Sequence, residues 1–461
     1  MTHKPNTLYL LLVFSILSQA ICAQENTVAT TEKILAKLDK KLMDENTIVF
    51  SNNKKRIAFK INRQKKQYAI IDGKQGKGYD SMGAIIFSPN GNRVVYTALK
   101  QKAWMLVVDD KEVPSVHPMA IIKTVLFSPD GKKMLYLIQK GKKMAWVNNG
   151  LAGPFFDEIN ENSITISKDG QNIAYTVQKG DKQAVFYNGK TSQLFSQVGF
   201  PVLSNSGKRI GYWAINNGKA FAVIDNNIGP EYDQVMTIAF GKDDQEYAYN
   251  CKKNEKHYVV INGVESEQYE WVHSLMYSPD GSRLAYAIES KEHNEEDFNH
   301  AVVLDGKKMK IYETVVEGSL LFSHDSKHFA CEVEWHDEFF VVNDGIEGKR
   351  YNDVMQITIA YSPDNSRIGY AFENDSKRHV SIDGEVGEEC DDIFCIAFSP
   401  DSKRVAYSAR AADEEYVVLN NKKGKSYNHI AGQGTIVFDD QHTLHYLAIK
   451  GDNIILVTER F

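Results

Sequence analysis

Several familiar signatures are missing from this chain, and each absence removes a class of function. No G-x-S-x-G pentapeptide occurs, so the nucleophile elbow of the α/β-hydrolases is excluded. No G-x-x-x-x-G-K-[ST] loop, H-E-x-x-H helix or complete calcium loop is present either. Basic excess is lacking: 54 Lys and Arg stand against 60 Asp and Glu, for a net charge of −6. A nucleic-acid binder normally carries a basic surplus, so that partner class is set aside. Long apolar runs are lacking too. The most conspicuous, Leu8 to Leu17, is too short to span a membrane, and no later segment approaches that length.

The short run has a different meaning. His3 and Lys4 precede it and small residues follow, the pattern of a secretory signal over residues 1–23, cleaved after Ala20 or Ala23. Cys22 follows Ile21, not the small residue a lipobox needs, so a lipid anchor is not expected. The protein is expected to be exported, to the periplasm or the exterior, without a membrane span in its mature chain. Cysteine is scarce. Once Cys22 leaves with the signal, Cys251, Cys331, Cys390 and Cys395 remain, at no zinc-binding spacing. Cys390 and Cys395 either pair as a disulfide in an oxidising compartment or stay buried thiols.

Repetition is what the chain has in abundance. Phe50, Phe87, Phe127, Ile166, Leu203, Phe240, Tyr277, Phe322, Tyr361, Phe398 and Phe438 recur at steps of 37 to 45 residues. A period of this size signals a repeat architecture. Each unit holds four strand-like pieces, a to d. Piece a ends in a Ser-Pro-Asp-Gly type turn, as at Ser128-Pro129-Asp130-Gly131. Piece b carries an aromatic, as in Leu284-Ala285-Tyr286. Piece c is β-branched and ends in Asn-Gly or Asp-Gly, a strong hairpin signal. Piece d holds a Tyr-Asp-like pair, as at Tyr79-Asp80 and Tyr232-Asp233.

Four antiparallel strands per unit make one propeller blade. From about residue 47 to 461 the pattern resembles the TolB-like, tryptophan-aspartate-like (WD40-like) β-propeller repeat. That resemblance implies an all-β propeller and is nonspecific for function. Eleven blade equivalents exceed the usual four to eight, so two tandem rings are expected. The b–c connections are basic through Lys256 and acidic from Glu289. This places a first ring of about six blades at 39–264 and a second of about five at 265–461; five then six, and four then seven, remain open. The last unit lacks piece d, and the N-terminus is placed to supply it, with Lys41 to Asp44 at the matching offset. Residues 24–38 are read as a helical or linker segment, because Ile34, Leu35, Leu38 and Leu42 have helical spacing.

With no catalytic motif, the expected work is binding, as a scaffold for a protein or cell-envelope component, with self-association as a further expectation and no cofactor. The candidates are the residues just before each strand a of the second half, His273, Glu317, Gln356, Phe394 and Gln433, with Trp271 and Trp335 as further contacts. Eleven of thirteen His follow Lys256. His273, His293, His300, His336 and His379 fall on the face of the b–c and d–a connections. They leave an alternative open, a metal-assisted lyase or hydrolase with His and carboxylates at a channel; the other reading is exposed loop histidines, and no metal ligand is assigned. The long connection Glu289 to His300 is either a recognition loop or a solvated acidic insertion.

Overall fold

A computed structural model describes residues 28–39, 41–117, 120–290 and 299–461. Residues 1–27, which include the expected signal segment with its cleavage sites, and residues 291–298 of the long connection, with His293, lie outside the described residues. The described chain is almost entirely β and forms eleven sheets, each with the a-b-c-d order of a propeller blade. Blade 2 is representative: Ser81–Phe87, Val94–Lys100, Ala103–Val108 and Lys111–Pro114 pair as successive antiparallel neighbours. In blades 4, 5, 8 and 11 the inner strand comes in two pieces.

A blade has two apolar faces, so each must be covered by a neighbour. The middle of strand b shows how. Tyr96, Tyr249, Tyr286 and Tyr446 are buried. Each meets the strand-d tyrosine of the preceding blade edge to face, at 6.2, 6.1, 6.3 and 6.0 Å for Tyr79, Tyr232, Tyr269 and Tyr427. The carboxylate after that tyrosine ties the same joint. Asp233 takes Lys219 at 3.0 Å on its own blade and the Asn254 amide at 2.8 Å on the next. The Tyr-Asp pair is therefore a fastening between blades.

The Ser-Pro-Asp-Gly turn braces the opposite face. Ser128 Oγ donates to Asp130 Oδ1 at 2.5 Å and accepts the Lys133 amide at 2.9 Å. Gly131 takes the positive φ that the turn demands. An arginine two residues beyond the turn then reaches three ways. Arg283 Nε donates to Asp305 of its own c–d turn at 2.8 Å, and Nη1 donates to the Lys327 carbonyl of blade 8 at 2.7 Å. Its guanidinium also lies over the Phe322 ring of blade 8 at 5.5 Å. Arg56, Arg209 and Arg367 repeat the arrangement.

Two rings were expected, and the packing corrects this. The hydrophobic cores join blades 1–2, 2–3 and so on in order to 10–11. One further core joins blade 11 to blade 1, with Ile454 and Leu447 against Ile57 and Phe59. The eleven blades thus make a single closed ring, with no core closing a smaller circle at blade 6 or 7 among the described residues. The sign change in the connections divides one face into sectors.

The N-terminus does supply the missing strand, through different residues from those expected. Ala29–Lys37 is a strand, not a helix, and pairs antiparallel with Asn453–Arg460 as strand d of blade 11. A register shift between Ile34 and Ala36 replaces helical spacing as the means of burying Leu35, Ala36 and Leu38, while Ile34 stays exposed. Glu32 accepts from Tyr427 at 3.1 Å and pairs with Lys425 and Lys450. Glu112, Glu265 and Glu347 make the same contacts with the preceding tyrosine in blades 2, 6 and 8. Met43 instead bridges Ile61, as the first part of blade 1's inner strand.

Leu35→Asp is expected to destabilise the protein by about 2–5 kcal/mol, the scale of losing a buried leucine with a charge left in its place. Denaturant unfolding of the full chain checks this; a loss under about 0.5 kcal/mol would contradict the closure.

Candidate functional site

A concavity of about 930 Å³ lies at the inner ends of blades 3 to 6, on the side of the b–c and d–a connections. It exists because two inner strands break. In blade 4 a 3-10 turn, Glu161–Ser163, interrupts strand a; Asn160 caps it by accepting the Asn162 amide at 3.1 Å. Ser163 Oγ donates to the Asn160 carbonyl at 2.7 Å and accepts the Thr176 amide at 2.8 Å, replacing ladder bonds. In blade 5 the break is Gly199-Phe200-Pro201. Proline cannot continue the ladder, and Gly199 lies flat on an indole: a Cβ there would stand 2.2 Å from Trp213 Nε1.

Phe200, 56% exposed, is turned into the opening, with Trp213, Val202 and Met236 beside it. The polar lining holds five amides, Asn160, Asn162, Gln178, Gln183 and Gln197, together with Thr176, Thr237, Lys123, Glu158 and Glu161. Gln183 accepts the Val198 amide at 3.1 Å. Lys123 and Glu161 stand 3.9 Å apart and largely cancel. Such a surface offers donors and acceptors together over apolar floor, with the Glu158 carboxylate at its edge.

The candidates read from the sequence lie elsewhere on the ring. His273 and Glu317 do adjoin, across blades 7 and 8. His273 is buried, with Nδ1 2.9 Å from Ser274 Oγ, which accepts the Gly318 amide at 3.1 Å. Burial lowers the imidazole's pKa; the Glu317 carboxylate opposes this.

Gln356 lies in Asp353–Tyr361 at the bulge of blade 9's inner strand. Phe394 packs against Gly434 and has the Arg410 guanidinium 5.9 Å above its ring. Gln433 adopts a left-handed φ of 60° between two glycines. These three succeed one another on separate blades, 9, 10 and 11. Trp271 is exposed and packs on His257 at 4.4 Å. Trp335 packs on Tyr312 and belongs to the core between blades 7 and 8.

His336 pairs with Glu313, and His379 stacks on Phe372. Among the described residues no three His, Cys, Asp or Glu side chains are grouped to hold a metal. Cys390 and Cys395 are both free thiols. Cys390 sits in the core between blades 9 and 10, with its pKa pushed up to about 11 by burial. Cys395 belongs to a different environment, beside Lys54 of blade 1.

None of the residues singled out from the sequence lines this cavity. Its sequence signal is Gly199-Phe200-Pro201, a proline inside strand a, a position where the other units carry none.

One buried acid also stands out. The fourth residue of strand b faces the next blade's inner strand, and in blades 1, 4 and 6 it donates to a carbonyl there. Thr176 donates to the Gly199 carbonyl at 3.2 Å, and Asn250 to that of Val272 at 3.2 Å. Glu332 holds this place in blade 8, with Oε2 buried and unpartnered. Burial, reinforced by Asp353, pushes its pKa up to about 8.

No protein-family model matches the chain, and no curated protein matches it. Among solved structures, the eukaryotic initiation factor is similar with a TM-score of 0.40 and 12% identity, over 71% of this chain and 93% of that one. The β-propeller domain of the Trilobed protease from Pyrococcus furiosus gives 0.30 and 12%, over 60% and 96%. Kuenenia stuttgartiensis hydrazine synthase gives 0.25 and 11%, over 65% and 95%. Likeness at this level carries no argument about activity or partner.

An acid protonated in the fold and ionised in the unfolded chain costs stability as pH rises. For Glu332 the loss runs from its ordinary value of 4.5 up to about 8, and the contribution is complete only below that window. Thermal midpoints across this window are expected to fall less steeply for Glu332→Gln than for the wild type; parallel profiles would contradict the buried acid.

Proposed function

We propose that this protein is an exported binding module whose ring is a rigid scaffold and whose cavity in blades 3 to 6 receives part of a protein or cell-envelope partner. The observation that carries the reading is the cavity, about 930 Å³ with Phe200 exposed among amide side chains. That volume lies in the range of known ligand sites, which combine apolar lining with a few placed polar groups. An exposed phenylalanine at a concave site is an unpaired binding surface. The resemblance of the repeat to TolB-like propellers supports the reading. So does the segment Leu8 to Leu17 followed by Ala20 and Ala23, for export.

A benzophenone side chain placed at Phe200 in the full chain, in its own cells, tests it. A discrete adduct is expected from Phe200 and not from Val264, an apolar residue on the outer rim that is more exposed still. Equal labelling from both positions, or none from Phe200, would overturn the reading. The mass of the mature N-terminus, beginning after Ala20 or Ala23, checks export separately; an intact Met1 on the mature protein would contradict it.

A further inference from the structure

The fold leaves over several polar groups in the cavity of blades 3 to 6. Asn160 and Gln183 each use only a side-chain oxygen, which accepts the Asn162 and Val198 amides, both at 3.1 Å. Their NH2 groups have no partner among the described residues. Gln178 is used the other way. Its Nε2 donates to the Gly180 carbonyl at 2.7 Å, and its oxygen is left over. Asn162 and Gln197 use neither end of the side-chain amide, and the Glu158 carboxylate makes no ion pair among the described residues. Free donors and free acceptors are therefore mixed across one lining. The charge there suits no anion: one lysine, Lys123, stands against Glu158 and Glu161, and it already lies 3.9 Å from Glu161. Beside these groups Phe200 presents a ring that is 56% exposed.

We propose that the cavity binds an uncharged saccharide, the glycan portion of a cell-envelope component. This rests on the cavity being the binding site of the protein. A sugar hydroxyl donates and accepts at one atom, so it answers leftover NH2 groups and leftover oxygens alike. A sugar ring also has a C–H face without polar atoms, which covers an aromatic ring and takes it out of water. A space of about 930 Å³ is near the top of the range for small-molecule sites, which favours a short run of sugar units over a single one. An acidic sugar is disfavoured, because its carboxylate would meet Glu158 and find no free cation in the lining. A lysine side chain would suit Glu158, but it brings donors only and leaves the Asn160 and Gln183 NH2 groups unanswered.

An array of neutral and acidic oligosaccharides probed with the full chain tests it, with calorimetric titration of the members that bind. Neutral members are expected to bind saturably and acidic ones more weakly. Phe200→Ala is expected to weaken binding about tenfold, the scale of one aromatic contact. Phe200→Trp should restore it, and Val264→Ala should leave it unchanged. Gln197→Ala is expected to cost about fivefold, the scale of one neutral hydrogen bond. No neutral member bound, a preference for acidic members, or binding indifferent to Phe200→Ala overturns the proposal. Binding of a lysine-rich peptide at Phe200 in place of sugars overturns it as well. Periodate, which cleaves vicinal diols, separates this failure from failure of the cavity reading. A Phe200 photo-adduct that periodate shortens supports the saccharide. An adduct that periodate leaves intact keeps the cavity as a binding site and overturns the saccharide, whereas no adduct and no bound sugar overturn both.

Discussion

Every blade in this ring depends on having a neighbour on both sides. A four-stranded sheet with two apolar faces cannot be stable alone, and a row of such sheets leaves one face bare at each end. Closure removes both ends together. Here it rests on residues 29–37, which give blade 11 its outer strand and bury Leu35, Ala36 and Leu38 between the last blade and the first. Glu32 completes the seam by standing where Glu112, Glu265 and Glu347 stand elsewhere. The closing strand is therefore a true blade strand, delivered from the far end of the chain.

Given closure, the repeated motifs divide the ring into a braced side and an adaptable side. Ser-Pro-Asp-Gly, the arginine beyond it and the c–d turn carboxylate are committed to holding blades together. In blade 8 a histidine takes the arginine's place, with His328 Nδ1 2.6 Å from Asp344. The opposite side carries the variation: broken inner strands in blades 4 and 5, the cavity they open, and hairpin tips whose charge changes sign around the ring. Recognition is expected on such variable connections over a rigid frame.

The blade was legible in the sequence because its signals are local. Turn chemistry and alternation placed nearly every strand, and the missing final strand pointed to the N-terminus. Ring number was not legible, because it depends on which faces meet. A base rate for blade counts and a charge change both suggested two circles, whereas the contact of Ile454 with Ile57 and Phe59 is a relation between residues some four hundred apart. The segment from Ile34 to Leu42 misled for a similar reason. Its helical spacing is real, but pairing with Asn453–Arg460 outweighs local preference. At the site, His273 and Glu317 adjoin, yet the cavity comes from Gly199-Phe200-Pro201, a local break whose importance shows only beside Trp213.

Particle images viewed down the propeller axis test the central claim most directly. A single closed ring of eleven blades, with no gap between the first and the last, is the predicted result. Two smaller rings side by side, or one ring open at the seam between blades 11 and 1, would contradict it.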